Sequence, residues 1–257
     1  MLVLNLLPLV VAAALLGVAV LLDGRTIKTP CKAQSESLQI FDFLASGEEV
    51  GSDHPLLRLR PRGRARRRVA EVLATLSHNF VECRPERVRM LSCAWGVESG
   101  LLRRMERGSS RVAVAAMEQL LRLHPSQRAT LEVEKMEFRT PSTRLLQLLL
   151  NTYAKPSQVT FWLNHHPHKL SWGEVGRVVE VLKMRSPILE PPKCEGSPTH
   201  NTELLLLYMA QVEGVGDVEE VAQRLSHGPD EELRVVATNT LWSTLLFPRY
   251  DTFHRGY

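Results

Sequence analysis

The sequence has few cysteines, and their spacing is irregular. Cys31, Cys83, Cys93 and Cys194 are scattered singly, with no CxxC pair. This argues against a disulfide framework and against a structural zinc site, and it is typical of a protein in a reducing compartment. Cys93 falls within a helical pattern, which predicts a small buried side chain. None of the four has neighbours that indicate an activated thiolate.

The motifs of common catalytic sites are also missing. The chain contains no P-loop, GxGxxG, HExxH or GxSxG. One cluster, "LNHHPHKL", places His165, His166 and His168 together, but neighbouring side chains point apart and Pro167 marks a turn between helices. We predict an exposed turn there, with adventitious metal binding as the alternative. The sequence therefore predicts no catalytic, cofactor-binding or metal-binding residues, and a protein that is not an enzyme.

Net positive charge is confined to one segment. The net charge of the chain is +4, yet residues 51–69 hold seven arginines and one aspartate, which leaves a net −2 for the rest. A statement about charged partners therefore concerns this segment and not the whole surface. The seven residues, which we call the arginine cluster, are Arg58, Arg60, Arg62, Arg64, Arg66, Arg67 and Arg68.

The N-terminal segment has no charged side chain from Met1 to Leu22. As a helix it would be about 33 Å long, which is enough to cross a hydrocarbon core of about 30 Å. A cleaved signal peptide, the alternative, would have a basic start, a shorter apolar run and small residues at its end. The segment predicts a single transmembrane helix at residues 1–22. Arg25, Lys28 and Lys32 follow it, so the positive-inside rule predicts a cytoplasmic C-terminal domain.

The rest of the chain shows almost no strand-like alternation, and helical periodicity dominates from residue 64 onwards. Val69, Leu73 and Leu76 illustrate the spacing of one apolar helix face. We predict an all-α fold. The predicted order is a tether at 23–63, with one short helix at 36–45 and a basic loop, then a helical domain at 64–247 and a C-terminal tail at 248–257.

A pattern of helices recurs within this domain. A short apolar helix, a glycine-containing turn and a longer helix run from Leu101 and again from Val218, and less clearly from Ser157. The longer helices carry large and small residues at steps of four, which predicts a face that packs against its partner helix. The predicted inner-face residues are Val112, Ala116 and Leu120, then Val175, Val179 and Leu182, then Leu233, Ala237 and Leu241.

A further helix precedes each of these pairs, beginning near Arg87, Arg144 and Thr202, so corresponding helices recur at about 57 to 62 residues. The pattern resembles the HEAT-repeat family of α-solenoids, with about three to four irregular repeats. Two long insertions, at residues 124–143 and 186–202, depart from it. The resemblance implies stacked helix pairs whose extended groove binds proteins.

The resemblance leaves the arginine cluster with three interpretations. It could form the polar end of a solenoid, it could contact anionic lipid near the predicted anchor, or it could bind nucleic acid. The last is the weakest, because a nucleic-acid track needs basic residues on several helices. Trp95, Trp162, Trp172 and Trp242 are likewise predicted to pack in the core and not to stack on bases.

These observations predict a membrane-anchored scaffold or adaptor that binds protein partners through its groove. The alternative is an enzyme on a HEAT-like fold, since the resemblance extends to DNA glycosylases for alkylated bases and to bilin-attachment lyases. A glycosylase would need a basic concave face with a carboxylate beside stacking tryptophans, and a lyase would need a pigment partner. If residues 1–22 were a signal peptide, the protein would be an exported adaptor.

Overall fold

The computed structural model describes residues 40, 42–45, 54–59, 61–79, 84–186, 189–190 and 198–246. Every regular element in these ranges is helical, which confirms the all-α prediction for the described part of the chain. After a helical turn at residues 42–45, the helices are α1 Pro55–Arg58, α2 Gly63–Asn79, α3 Pro85–Ala94, α4 Val97–Arg107, α5 Ser110–Arg122, α6 Gln127–Glu134, α7 Pro141–Ala154, α8 Val159–Asn164, α9 Trp172–Arg185, α10 His200–Val212, α11 Val218–Ser226 and α12 Glu231–Leu246, with a 3-10 turn at Pro156–Gln158 before α8.

The predicted transmembrane helix at residues 1–22 lies outside the described residues. Among the helices that are described, none combines the length and the apolar character needed to cross a bilayer.

The chain divides into two compact units, unit 1 at Met1–Leu146 and unit 2 at Gln147–Tyr257. The division falls within α7, so this helix contributes its first turns to one unit and its remainder to the other. Each unit has its own buried apolar side chains, among them Leu101 and Leu120 in unit 1 and Leu205 and Leu225 in unit 2.

Unit 1 is built around α4 and α5, which pack along one another. Gly96 connects α3 to α4 with φ +66°, a left-handed conformation that glycine adopts without steric cost. Gly108 connects α4 to α5, and a Cβ there would collide with the Arg104 carbonyl and lie 2.7 Å from Val112 Cγ1. These two glycines allow the short connections that hold three successive helices together.

Residues upstream of α2 contribute to the core of unit 1. Ile40, Phe43 and Leu44 are buried, and the Arg84 amide at the start of α3 donates a hydrogen bond to the Leu44 carbonyl at 2.9 Å. Trp95, which is 1% exposed, donates its indole N–H to the Leu56 carbonyl at 2.7 Å. The described part of the predicted tether is therefore packed into the helical unit.

Unit 2 ends in the helix pair α11 and α12, which pack along one another and against α10. Leu207, Ala222, Leu225 and Ala237 form the buried cluster between these helices. Asp217 caps α11 by accepting hydrogen bonds from the Glu219 and Glu220 amides, and Ser171 and Glu174 form a capping box at the start of α9. Helix starts in unit 2 are thus fixed by side chains that the sequence places directly before them.

The helices predicted to precede each pair are present, as α3, α7 and α10, which begin at Pro85, Pro141 and His200. Most inner-face predictions agree with the structure, since Ala116, Leu120, Val175, Val179, Leu182, Leu233 and Ala237 are buried. Leu241, on α12, is partly buried and packs against the cluster of unit 2.

One inner-face prediction in unit 1 was wrong. Val112 is 36% exposed and not on the inner face, because its Cγ1 lies over the turn at Gly108 while Ala113 is buried. The segment at 124–143, predicted as an insertion between repeats, contains α6. Ser126 caps this helix, and its amide and hydroxyl donate to the buried carboxylate of Glu98 at 2.8 and 2.6 Å.

Candidate functional site

The arginine cluster is described only in part. Arg58 at the end of α1 and Arg62 just before α2 are exposed. Arg60 lies outside the described residues, and only the helical backbone of Arg64 and Arg68 is described. The structure therefore leaves the predicted contacts of these five residues as predictions.

Arg66 and Arg67, near the start of α2, line a cleft of about 310 Å³ that opens between α2 and α4. Arg103 and Arg104 of α4 line the same cleft. Gly100 makes room for it, because a Cβ at that position would lie 3.2 Å from Arg66 Cδ. The fold thus adds two arginines that were not in the predicted cluster, and we call these four residues and their cavity the basic cleft.

The arginines of the basic cleft are only partly neutralised by neighbouring side chains. Arg66 donates its Nε–H to the Pro61 carbonyl at 3.1 Å, and Arg104 donates to the side-chain oxygen of Gln119 at 3.2 Å. Arg67 Nε lies 3.6 Å from the carboxylate of Glu71. Partial burial, and then the positive charge of Arg67, lower the pKa of Arg104, while Glu71 opposes this effect.

A second surface with functional potential lies on α12. The helix buries Leu233 and Ala237 against unit 2, yet Val235 is 56% exposed and Trp242 is 61% exposed. Val235 and Trp242 are seven residues apart, which is two helical turns, and therefore face the same side. Thr238 and Asn239 lie between them on that face and are exposed and uncharged. We call the four residues Val235, Thr238, Asn239 and Trp242 the α12 face.

The exposure of Trp242 corrects the prediction that all four tryptophans pack in the core. Trp95 is buried, and Trp172 packs against the unit 2 cluster with its ring centroid 4.8 Å from that of Tyr208. Trp162 is half-buried. Trp242 differs because α12 is apolar on more than one side, so periodicity does not identify the side that is buried.

The turn at His165, His166 and His168 lies between α8 and α9, as predicted, and His165 and His168 are exposed. The buried side chain of Asn201 holds this turn, because its Nδ2 donates to the His168 carbonyl at 3.0 Å and its Oδ1 accepts from the Leu170 amide at 2.8 Å. The turn is therefore fixed by a polar side chain from α10 and not by a metal-type arrangement of its own histidines.

A cluster of ionisable groups joins this turn to the starts of α10 and α12. Ligand-type atoms of His200, Asp230 and Glu232 lie within 4.8 Å of one another. Lys169, however, places its ammonium 3.0 Å from Asp230 Oδ2 and 3.3 Å from Glu232 Oε2, so the chain supplies its own cation to the carboxylates. Asp230 also caps α12 by accepting from the Glu232 and Leu233 amides. The arrangement is that of a stabilising ion-pair network.

Acidic pH should weaken this network. Burial acts to raise the pKa of Asp230, but hydrogen bonds from Lys169, from His200 and from the Leu233 amide outweigh it and hold the pKa well below its usual range. A carboxylate with a depressed pKa contributes stability above its unfolded value of about 3.9, and this contribution is lost as the pH falls toward the folded value. The stabilising contribution of Asp230 should therefore be complete at neutral pH and should decrease progressively as the pH falls below about 4.

We expect Asp230→Asn to lower the urea midpoint of the full chain at pH 7, because asparagine still caps α12 but carries no charge for Lys169. From about pH 5 to about pH 3 the variant should lose less stability than the wild type. Urea unfolding followed by circular dichroism at both pH values measures this. Glu232→Gln, which changes only the exposed outer partner, serves as the control and should have a small effect. Equal pH dependence in wild type and Asp230→Asn would contradict the role of Asp230.

Cys93 is exposed, so the prediction that it is buried was wrong. Partial burial of the thiol, and then the charge and hydrogen bond of Glu98, raise the pKa of Cys93 to about 11. The thiol is therefore protonated at neutral pH, in agreement with the prediction that it is not an activated nucleophile.

Sequence reasoning missed the second half of the basic cleft. Arg103 and Arg104 follow Gly100 by about one helical turn. The two long basic side chains therefore lie close, on the surface of α4, to a position that has no side chain. The adjacent arginines could have been noticed, but their proximity to Arg66 and Arg67 depends on how α4 packs against α2.

In comparisons with known proteins, no family model, no curated protein sequence and no solved structure matches the chain.

Proposed function

We propose that the chain is a membrane-anchored scaffold of HEAT-like helical repeats that binds a protein partner, and that the α12 face is part of the binding surface. The observation that carries the proposal is the exposure of Trp242 and Val235 on a helix whose opposite side is packed. The two side chains lie two helical turns apart on one uncharged face, and an exposed face of this kind can mark a protein-binding site.

The composition of the α12 face supports a protein partner. The cores of protein interfaces are depleted in charged residues and enriched in aromatic ones, and tryptophan is among the commonest residues of binding hot spots. The α12 face has a tryptophan, a valine and two uncharged polar side chains. Thr238 and Asn239 can exchange hydrogen bonds with a partner, while Trp242 supplies a large apolar surface to bury.

The helical pairs support the repeat interpretation. In unit 1, α4 and α5 are adjacent and joined by a turn at Gly108, and in unit 2, α11 and α12 are adjacent and joined by a turn at Gly228. The second helix of each pair buries a small residue, which is Ala116 in α5 and Ala237 in α12. A fold of such pairs commonly presents long surfaces to other proteins, because each pair leaves one face uncovered. The membrane anchor in the proposal rests on the uncharged N-terminal run.

The proposal is tested by exchanging the two apolar residues of the α12 face for polar ones. The full chain and the variant Val235→Ser/Trp242→Ser are each used to capture proteins from detergent-solubilised membranes. Leu131→Ser, which alters an exposed leucine on α6, is the matched control. We expect a partner that is retained by the wild type and the control and lost by the double variant.

The partner found in this way should bind the purified wild-type chain directly. We expect the double variant to weaken that binding at least about tenfold, since truncation of a hot-spot residue costs about 2 kcal/mol or more. The same captured proteins with wild type and double variant would show that the α12 face is not the binding surface. Release of the full chain from membranes by alkaline carbonate would show that it is not anchored as an integral membrane protein.

A further inference from the structure

The basic cleft has a chemistry that the α12 face lacks. We propose that it binds a phosphomonoester group through Arg66, Arg67, Arg103 and Arg104. The group would be carried by a lipid headgroup or by a small soluble molecule. The site lies entirely within unit 1, so it does not depend on the protein-binding role proposed for α12.

The basic cleft carries an excess of positive charge. Four arginine residues from two helices line one cavity, and the described lining includes no acidic side chain. Glu71 reaches Arg67 from outside the lining, and half of its side-chain surface is exposed to solvent. Arginines that converge in this way repel one another unless an anion lies between them. A dianionic ligand would remove that repulsion.

The arginines of the basic cleft offer more hydrogen-bond donors than their neighbours in the protein use. Each guanidinium has five N–H donors, and the bonds from Arg66 to Pro61 and from Arg104 to Gln119 occupy one donor each. A phosphomonoester carries about −1.5 to −2 charges at pH 7 and three strong acceptor oxygens. Planar guanidinium groups bind such oxygens in pairs. A single carboxylate would leave most of the positive charge without a partner.

The basic cleft has the size of a small-molecule pocket and an apolar floor. Its volume of about 310 Å³ lies at the lower end of the range for small-molecule pockets. Ala70, Val97 and Leu101 line the floor and are buried, so the cavity combines an apolar base with a charged rim that includes the exposed Arg67 and Arg103. A phosphorylated ring or headgroup matches this combination, whereas a nucleic-acid helix needs a longer basic track.

Three variants distinguish binding in the basic cleft from nonspecific attraction of the probe by surface charge. Arg103→Gln/Arg104→Gln removes two charges from the rim. Gly100→Leu keeps every arginine but fills the cavity, because the new side chain would grow toward Arg66. The matched control is Arg111→Gln/Arg128→Gln, which removes two exposed arginines from α5 and α6 that do not line the cleft.

Binding is measured by isothermal titration calorimetry on the full chain in a neutral detergent, with glycerophosphoinositol 4-phosphate, which carries a single phosphomonoester, as the soluble probe. We expect the rim variant to weaken binding at least about tenfold because it removes two charged hydrogen-bond donors, and Gly100→Leu to weaken it as much because it fills the cavity. The control should bind within about threefold of the wild type. Thermal unfolding of each variant checks that it is folded, and Arg103→Gln alone replaces the rim variant if it is not.

The source of the phosphate is distinguished by a second arm. Mixed micelles that contain phosphatidylinositol 4-phosphate present the same headgroup with its acyl chains. Tighter binding of the lipid than of the soluble headgroup would assign the site to a lipid, and equal or weaker binding would assign it to a soluble ligand. No binding of either probe, or an equal loss in the control and the rim variant, would overturn the proposal.

Discussion

Replacement of Trp95 by alanine is expected to lower the free energy of unfolding of unit 1 by about 3–5 kcal/mol. Trp95 is 1% exposed and is among the largest fully buried side chains. Its loss would leave a cavity and would also leave the Leu56 carbonyl without its indole donor. The Leu56 carbonyl would keep the Leu59 amide as a donor at 3.3 Å, so the lost indole hydrogen bond itself adds only about 0.5–1.5 kcal/mol to the cost.

Chemical unfolding of the full chain, followed by circular dichroism, measures the effect. Trp95→Phe keeps most of the apolar volume and removes only the donor, so it should cost less than the alanine variant. Trp242→Ala is the matched control, because that side chain is 61% exposed, and its effect should stay within about 0.5 kcal/mol. If Trp95→Ala and Trp242→Ala proved equally stable, the packing of α1 against Trp95 would be refuted.

Replacement of Ala237 by phenylalanine should destabilise unit 2 by about 1–3 kcal/mol or more. Ala237 is fully buried in the cluster with Leu207, Ala222 and Leu225, and a ring added there cannot be accommodated without moving α12 away from α11. Ala116→Phe should have a comparable effect in unit 1, since Ala116 is also fully buried. The second variant tests whether the two helix pairs share the same requirement for a small residue.

Thermal unfolding of the two variants gives the shift in melting temperature. The control for Ala237→Phe is Thr238→Phe, which adds the same ring to the same helix at an exposed position and should change stability little. An unchanged melting temperature in both alanine variants would remove the repeat register drawn from the sequence. If the melting temperature fell in only one of the two alanine variants, the register would hold only in the unit that contains that residue.

Much of the helical structure could be predicted from periodicity. The step of three and four residues that places Val175, Val179 and Leu182 on one face of α9 also places them in the core. Small residues at regular steps identified Ala116 and Ala237 as buried. Such predictions succeed where a helix has one clearly apolar face, because burial then follows from the sequence alone.

Periodicity failed where a helix is apolar on several sides or where a polar side chain is buried. Trp242 belongs to the first case, since α12 offers apolar residues to both the unit and the solvent. Asn201 belongs to the second, because it is buried and bonds to the turn before α9. The half-buried Asn164 makes similar distant contacts, since it accepts hydrogen bonds from Thr199 and Thr202 at 2.8 and 2.6 Å. These contacts join residues more than thirty positions apart, and the local sequence contains no signal of the pairing.

The burial of Ile40, Phe43 and Leu44 determines where a folded fragment of this protein has to begin. A fragment cut at residue 64, the start of the predicted repeat domain, would lack these side chains and Leu56. The surface they cover would then be exposed on α3, and the Arg84 and Trp95 N–H groups would lose their acceptors. A fragment meant for crystallisation or for binding studies should therefore start upstream of residue 40, between the uncharged N-terminal run and the first buried helical turn.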